Sequence, residues 1–390
     1  MNITFLIGNG FDIGVGLKTK FSDYFPIYCK DSEPEKKTSL RGLASVIDTN
    51  REEWAYYEKE LGNYTVHFDT DTQQELIAQA KDFQNCFIEY LKTQEALVQY
   101  HDERLILDTM TNALVNYYLH GNLLAESEDR LVAKYNARAS ENHVYNFVTF
   151  NYTSVLQKCL NLFDDRVVQR RKNNAYVDKI GEVVHVHGKT NQFPITGVDG
   201  VDQIANENLR GNKQFVDYFV KPEINNRIRM SFDNKATRLI QNSDVICIYG
   251  MALGETDRKW WNMIVRWLAG NDARQLIVFD YDDKFTQANP FDLLEKEDTL
   301  YAKLSKFSNG NVNIDRLRKQ IHMAIHKNIF EMPLAKQPED GSSEGQKNVH
   351  SSVGRVDPNM IYYGNVPPEE SGLLHKKGQL YYQRVSVPEK

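Results

Sequence analysis

The chain opens with Met1-Asn2-Ile3-Thr4-Phe5-Leu6-Ile7-Gly8-Asn9-Gly10, and this stretch decides the fold class. Residues 3–7 form an almost continuous apolar and β-branched run, which is typical of a strand buried on both faces of a parallel sheet. The two glycines that follow allow a tight turn and a close approach of the backbone to a ligand. We therefore predict a buried first strand that ends in a turn suited to ligand binding.

Further runs of the same kind follow at residues 144–150, 183–186, 245–249 and 276–279. Helical patterns lie between them, and strands that alternate with helices predict a parallel sheet covered on both faces. Residues 8–143 separate the first two strands, although a crossover needs only about a dozen residues. The sequence thus predicts an α/β fold with a Rossmann-like parallel sheet and a helical insertion after the first strand.

Three parts are predicted along the chain. Residues 1–30 and 140–333 form the Rossmann-like domain, and residues 31–139 form an inserted helical subdomain over the mouth of the sheet. Residues 334–390 form a linker and a C-terminal tail, because residues 338–345 have the composition of a linker. For the rest of this tail, disorder and a small hairpin remain as alternatives.

Composition excludes several functional classes. The 390 residues are 41% hydrophobic and 26% charged, which suits a globular chain, and the net charge of −6 offers no basic surface for nucleic acid or membrane. The N-terminus lacks the features of a signal peptide, and no apolar run approaches the ~20 residues that span a bilayer. The four cysteines form no C-x-x-C pair. We expect a cytoplasmic protein that binds neither membranes nor nucleic acid directly.

The turn after the first strand reads Gly8-Asn9-Gly10-Phe11-Asp12-Ile13-Gly14. A glycine turn that leads into a helix offers free N–H groups to a pyrophosphate. The spacing departs from G-x-G-x-x-G because Ile13 stands at the last glycine position. No strand that ends in an acidic residue follows at the usual distance for a ribose contact, so a classical dehydrogenase is disfavoured. A plain strand-to-helix turn remains the alternative.

Two later strands end in residues that suit chemistry. Asn151 follows the second strand, where it either caps the next helix or holds a ribose hydroxyl or a water. In His185-Val186-His187-Gly188, alternation places both histidines on one face. No third ligand is evident nearby, and zinc needs three or four, so we predict no metal site. We interpret His185 as a core histidine and His187 as a general base near neutral pH.

The fourth strand runs into the segment Tyr249–Asp257, which holds two glycines. Asp257 either caps the following helix or faces a ligand. Trp54 and Glu58 lie on a helical pattern that we interpret as an amphipathic helix, with an acidic, aromatic face near the site as the alternative. Because all four motifs fall at the carboxyl end of one predicted sheet, they indicate one shared crevice for a nucleotide-type ligand.

In this order the motifs resemble the AbiH family of bacterial phage abortive-infection proteins, over about residues 1 to 330. The matching segments are Leu6–Asp12, Gly16–Thr19, Trp54–Gly62, Phe150–Thr153, His185–Gly188 and Tyr249–Asp257.

The motifs are also similar to the sirtuin-like fold of NAD-consuming antiphage proteins. That resemblance implies that Asn151 and His187 are the catalytic pair. It implies a cofactor loop formed by Gly8, Asn9, Gly10, Asp12 and Thr19. It also implies a segment near the adenosine half, formed by Gly250, Leu253 and Asp257. The chain departs from sirtuins at Asn9 and Asp12, where they usually have alanine and serine. It also lacks their paired-cysteine zinc ribbon, so deacetylation is not expected.

The resemblance implies hydrolysis of NAD at the nicotinamide–ribose bond, which would deplete NAD during infection. NAD is then the substrate or ligand, and no metal is expected. Such a toxin needs control, for which we expect a phage-derived trigger acting through the helical insertion or a homo-oligomer interface. The alternative function is a non-catalytic sensor of NAD or ADP-ribose. A nuclease lacks support, because the sequence shows neither carboxylates with metal-site spacing nor a basic face.

Overall fold

The computed structural model describes residues 1–30, 41–54, 56–119, 123–282, 285, 289–308, 310, 312–325 and 328–336. The predicted tail from residue 337 onward lies outside the described residues. Leu334 and Ala335, which the sequence assigns to the linker, donate their N–H groups to the carbonyl of Val15 at 3.0 Å. The chain is therefore still tied to the compact unit at this point.

A seven-stranded sheet forms the centre of the structure, in the order β3-β4-β2-β1-β5-β6-β7. All neighbours are parallel except β3 and β4, which are antiparallel. The strands β1 to β7 are Asn2–Ile7, Val144–Thr149, Val167–Arg171, Tyr176–His185, Val245–Tyr249, Gln275–Asp280 and Ile321–Ile325. The α/β class and the mostly parallel sheet are confirmed.

The sequence missed both outer strands. The edge strand β3 carries polar side chains, and β7 is a five-residue strand that contains a histidine and an alanine, so neither shows a clear apolar period. β4 begins at Tyr176 rather than at Val183, because its first half pairs with β3 in a hairpin. The parallel pairing of β4 with β2 spans Lys179 to His185, so the apolar run at residues 183–186 predicts only its second half.

Helices occupy most of the described chain between β1 and β2. In chain order, α1 to α8 are Gly10–Gly14, Phe21–Lys30, Arg41–Thr49, Arg51–Trp54, Tyr57–Tyr64, Gln73–Glu95, Glu103–Val115 and Ala125–Ala137. After β2, α9 to α16 are Val155–Leu160, Glu207–Arg210, Lys213–Phe219, Lys221–Ile228, Phe232–Gln241, Arg258–Ala269, Pro290–Phe307 and Ile314–Leu317. Among the described helices, none has both the length and the apolar character that crossing a membrane requires.

Both faces of the sheet are buried. Phe5 of β1 stacks on Phe147 of β2 at 5.5 Å on one face, whereas Leu6 packs into the core on the opposite face with α13 and α14. A third core lies apart from the sheet, where Phe83 of α6 and Phe215 of α11 pack together with α2, α3 and α5. Helix α7, in contrast, packs on the sheet through residues such as Met110. The helical layer between β1 and β2 is thus divided between two cores.

Candidate functional site

The turns that follow β1 and β5 are in direct contact. The N–H groups of Gly8 and Gly10 donate to the carbonyls of Tyr249 and Gly250, each at 2.9 Å. A Cβ atom on Gly10 would lie 2.5 Å from the Cα atom of Gly250, which itself has a φ of +66°. Glycine is required here for close packing of two turns, and two of the N–H groups expected at a phosphate are paired within the protein. Phosphate binding by this loop stays a prediction.

Two other residues of the predicted cofactor loop, Asn9 and Thr19, form a hydrogen bond beside this turn. The Thr19 hydroxyl donates to Oδ1 of Asn9, and Thr19 is buried. This hydrogen bond therefore connects the two ends of the segment between β1 and α2. The described geometry gives both residues a structural contact and leaves their contact with a ligand as a prediction.

Asn151 lies between β2 and α9 but does not cap the helix. Ser154 occupies the N-cap position of α9, so the capping interpretation is wrong. Asn151 is 5% exposed, and its Nδ2 atom has no hydrogen-bond partner among the described residues. A buried amide donor without a partner is costly, and such groups are candidates for a functional role.

The Asp12 carboxyl lies beside Asn151 and is fully buried. The Thr153 hydroxyl contacts both of its oxygens, at 2.9 and 2.8 Å. Burial raises the pKa of Asp12 to about 7, while the Thr153 hydroxyl and the nearby Asn151 amide oppose this increase. Asp12 therefore changes its protonation near physiological pH. Its position joins the first turn to the segment that follows β2.

His185 behaves as the core histidine that the sequence predicts. It is buried at the end of β4, and its Nδ1 lies 3.3 Å from the carbonyl oxygen of Asn151. Burial lowers the pKa of this imidazole to about 4. The ring is therefore neutral at physiological pH.

His187 occupies the turn after β4 and is 8% exposed. The rings of Phe150 and Tyr152 flank its imidazole, with centroids 5.6 and 5.9 Å away. Burial and the positive charge of Lys221 hold the pKa of His187 well below its usual value. The imidazole is neutral at pH 7 and is a weaker base than the sequence predicts, because the sequence does not reveal how deeply the ring is buried.

A buried ionic cluster faces His187 and contains Glu58, Asp199, Lys221 and Asp257. The Lys221 ammonium lies 2.7 Å from Oε1 of Glu58 and 2.7 Å from Oδ1 of Asp199. His187, Asp199 and Asp257 each offer a nitrogen or oxygen atom within 4.8 Å of the others. Four separate parts of the chain thus converge at the carboxyl edge of the sheet.

Local structure explains how these side chains meet. The N–H of Lys221 donates to the Val198 carbonyl at 2.8 Å, which sets Asp199 beside the first residue of α12. Glu58 extends from α5, which is anchored because Tyr57 stacks on Phe83 with ring centroids 4.1 Å apart.

Asp257 stands at the N-cap position of α14, yet its side chain makes no capping hydrogen bond. The predicted capping position is therefore correct, but the side chain is not used for capping. Burial is the largest cause that raises the pKa of Asp257 well above its usual value, followed by the charge of Asp199. Burial likewise raises the pKa of Glu58 to about 7, while Lys221 lowers it.

Sequence reasoning found Asp257 and His187 but missed Asp199 and Lys221. Asp199 lies in the loop that follows β4, and Lys221 is the first residue of α12. Neither belongs to a recognisable motif, so no local signal marks them. Glu58 was interpreted as part of an amphipathic helix, and the structure supports the alternative of an acidic side chain at the site.

Two cavities lie near the carboxyl edge. A small one of about 20 Å³ is bounded by His187, Asp199, Lys221 and Asn225. A groove of about 640 Å³ lies beyond β5 and β6 and is lined by residues that include Leu253, Asp280 and Lys296. Leu253 and Asp257, which were expected together near an adenosine, are therefore associated with different features. Lys296 pairs at 2.6 Å with Asp280, the last residue of β6.

The mostly parallel sheet and the buried polar groups at its carboxyl edge define an α/β protein with a candidate site at that edge. The family model described as bacteriophage abortive infection AbiH matches residues 4–279, and the chain belongs to this family. The predicted AbiH membership is confirmed, and it indicates a role in abortive-infection defence against phage. A search of curated proteins found no match.

Proposed function

We propose that this AbiH protein contributes to defence by hydrolysing NAD at the nicotinamide–ribose bond. The observation that carries the proposal is the buried cluster of one imidazole, three carboxyls and one ammonium around His187. Ionisable groups with strongly shifted pKa values gather at catalytic sites. Ligands of open parallel sheets bind at the same edge, where the strand order reverses. In this sheet the reversal falls between β1 and β5.

The proposal includes a sirtuin-like arrangement in which the helices between β1 and β2 form an insertion over the site. The groove of about 640 Å³ has the volume of a small-molecule pocket and would take the adenosine half. The cavity beside His187 is too small for nicotinamide. Under this proposal the described structure is a closed state, and α5 must release Lys221 or shift with it before substrate enters.

The reaction places simple demands on the site. Water adds to C1′ of the ribose, the C1′–N bond breaks, and neutral nicotinamide leaves with the bonding electrons. The carbon develops oxocarbenium character, which nearby carboxylates stabilise. Asn151 offers an unpaired amide donor to the ribose diol or the water. His187 accepts a proton from the water. Because His187 is a weak base, it passes this proton to the neighbouring carboxylates.

The test is a turnover assay with the full-length chain. Purified protein is mixed with NAD, with and without extract from phage-infected cells, and free nicotinamide is measured by chromatography. We expect release of nicotinamide by the wild type and a loss of at least ~100-fold in Asn151→Ala and His187→Ala. Hydrolysis is overturned by a purified protein that shows no turnover under any of these conditions, although cells that express the same chain are protected from phage.

The second candidate is a sensor that binds NAD or ADP-ribose without catalysis. It is favoured by the weak basicity of His187, which makes general-base catalysis by this imidazole less effective. A sensor predicts saturable binding in calorimetry and no nicotinamide release in the parallel assay. The proposal also includes two kinds of partner. A phage-derived trigger is tested by adding phage extract, and self-association is tested by measuring the mass of the protein in solution.

A further inference from the structure

The ionic cluster around His187 has the composition of a cation site. We propose that His187, Asp199 and Asp257 bind one divalent metal ion, with the side-chain oxygen of Asn225 as a fourth ligand. This proposal concerns binding and does not depend on NAD hydrolysis. It replaces the expectation that the chain carries no metal site.

Distances support a shared ion. One ligand atom from each of His187, Asp199 and Asp257 lies within 4.8 Å of the others. Atoms that bind a common ion at about 2.1 to 2.4 Å lie at most about 4.2 to 4.8 Å apart. The three side chains therefore need only small movements to close on an ion. The cavity of about 20 Å³ that His187 and Asp199 border matches a single ion or water and nothing larger.

Unpaired oxygen atoms provide an independent observation. Oδ2 of Asp199, Oδ1 of Asp257 and Oδ1 of Asn225 are buried and have no hydrogen-bond partner among the described residues. Asn225 is 3% exposed and borders the same cavity. All three atoms are acceptors, so the group that satisfies them must be a cation or a donor and cannot be an anion such as phosphate. Their concentration at one point distinguishes this cluster from an ordinary acidic surface.

The formal charges of the cluster also favour a bound cation. Glu58, Asp199 and Asp257 carry a formal charge of −3 when ionised, and Lys221 supplies only +1. One divalent ion would bring this sum to zero, and its binding would displace any proton that these carboxyls hold. On the wall of the cavity, Asp233 and Lys259 pair with each other and add no net charge.

Lys221 does not occupy the position of the ion. Its ammonium binds Oδ1 of Asp199 and Oε1 of Glu58, which leaves Oδ2 of Asp199 free to face the cavity. A partner of this kind orients a ligating carboxylate without joining the ligand set. Glu58 and Lys221 therefore position Asp199 for the metal.

The donor set selects the class of metal. An imidazole nitrogen favours zinc and other transition metals, whereas carboxylate and amide oxygens suit manganese and magnesium. A site with one nitrogen and three oxygens fits Mn²⁺ or Zn²⁺ better than Mg²⁺ or Ca²⁺, which prefer oxygen alone.

The experiment measures binding to the full chain after chelation and dialysis. Mn²⁺, Zn²⁺ and Mg²⁺ are titrated separately by calorimetry, and Mn²⁺ binding is also followed by electron paramagnetic resonance. We expect one Mn²⁺ or Zn²⁺ per chain and binding at least about tenfold weaker in His187→Gln and in Asp257→Asn. Asp202→Asn, which changes an exposed carboxylate close to Asp199 in sequence, and His185→Gln serve as controls and should bind like the wild type.

Two outcomes overturn the site. One is the absence of stoichiometric binding of any of the three ions to the wild type. The other is equal binding by the wild type, His187→Gln and Asp257→Asn, which would place the ion elsewhere, for example at a cysteine. Circular dichroism of each variant shows whether it is folded, and either of the two ligand variants suffices for the comparison.

Discussion

Lys221 and Glu58 form an ion pair of 2.7 Å although 163 positions separate them in the chain. The pair joins the first turn of α5, in the helical layer between β1 and β2, to the first residue of α12 beside the sheet edge. Both side chains are largely buried, so this contact is protected from solvent and salt.

Replacement of Lys221 by methionine should therefore be costly. The variant leaves Glu58 and Asp199 as buried carboxylates without their cation, and loss of one partner from a buried pair costs about 3 to 5 kcal/mol. Urea denaturation measures this change. Lys213→Met is the matched control, because Lys213 is exposed and pairs with Asp217 on the surface, a type of pair worth about 0 to 1 kcal/mol. Equal losses in the two variants would contradict the buried role of Lys221.

Asp12 should make stability depend on pH. Its pKa is raised from 3.8 to about 7, so the folded protein holds a proton that the unfolded chain has already lost. The free energy of unfolding must then fall as pH rises from about 4 to above 7. Asp12→Asn should equal the wild type near pH 4 and exceed it at pH 8 by up to about 4 kcal/mol.

Thermal melts at several pH values test this prediction. Asp129→Asn, which changes an exposed carboxylate, should follow the wild-type curve within about 0.5 kcal/mol. A pH profile of Asp12→Asn that runs parallel to the wild-type profile would show that the Asp12 carboxyl is ionised throughout.

Asn151 should separate activity from stability. The Asn151 amide nitrogen makes no hydrogen bond of normal geometry and only helps to lower the pKa of the neighbouring Asp12, so Asn151→Ala should change the free energy of unfolding by less than about 1 kcal/mol. NAD hydrolysis should nevertheless fall at least ~100-fold. Asn146→Ala, in the strand β2 that precedes Asn151, is the opposite case, because Oδ1 of Asn146 accepts the Glu182 N–H at 3.0 Å.

The Asn146→Ala variant should lose about 1 to 3 kcal/mol of its free energy of unfolding and keep most of its turnover per folded molecule. Chemical denaturation and nicotinamide release, measured on both variants, give the comparison. If Asn151→Ala is as unstable as Asn146→Ala and loses no more turnover, Asn151 has only a structural role.

Gly10→Ala should disrupt the contact between the two turns. The new Cβ would meet the backbone of Gly250, which cannot move as a flexible side chain does, and overpacking of this kind costs about 1 to 3 kcal/mol or more. Gly211→Ala is the control, since its Cβ would meet nothing closer than 3.7 Å and φ is −81°. Comparable melting temperatures for the two alanine variants would show that the turns are not tightly packed.

The sheet and its functional edge could be predicted because their signals are local. Five strands show as short apolar runs, and the direction of parallel strands places Gly8, Asn151, His187 and Gly250 at one end. The edge strand β3 and the short β7 lack such runs, so they were missed.

The ionic cluster could not be predicted because it depends on contacts between distant segments. Asp199 is brought beside Lys221 by backbone hydrogen bonds from Val198 to Phe219 and from Lys221 to Val198, which join segments 20 or more residues apart. Propensity alone also favoured helix capping for Asn151 and Asp257, two residue types that cap well. Helix α9 has Ser154 and not Asn151 at its N-cap, and Asp257 occupies the N-cap of α14 without a capping hydrogen bond from its side chain.

The contact between Gly10 and Gly250 has a kinetic consequence. If the proposed nucleotide binds through this loop, its phosphate can reach the N–H groups of Gly8 and Gly10 only after the two turns separate from the carbonyls of Tyr249 and Gly250. The observed association rate would then level off as nucleotide concentration increases, and the plateau would report how often the turns separate.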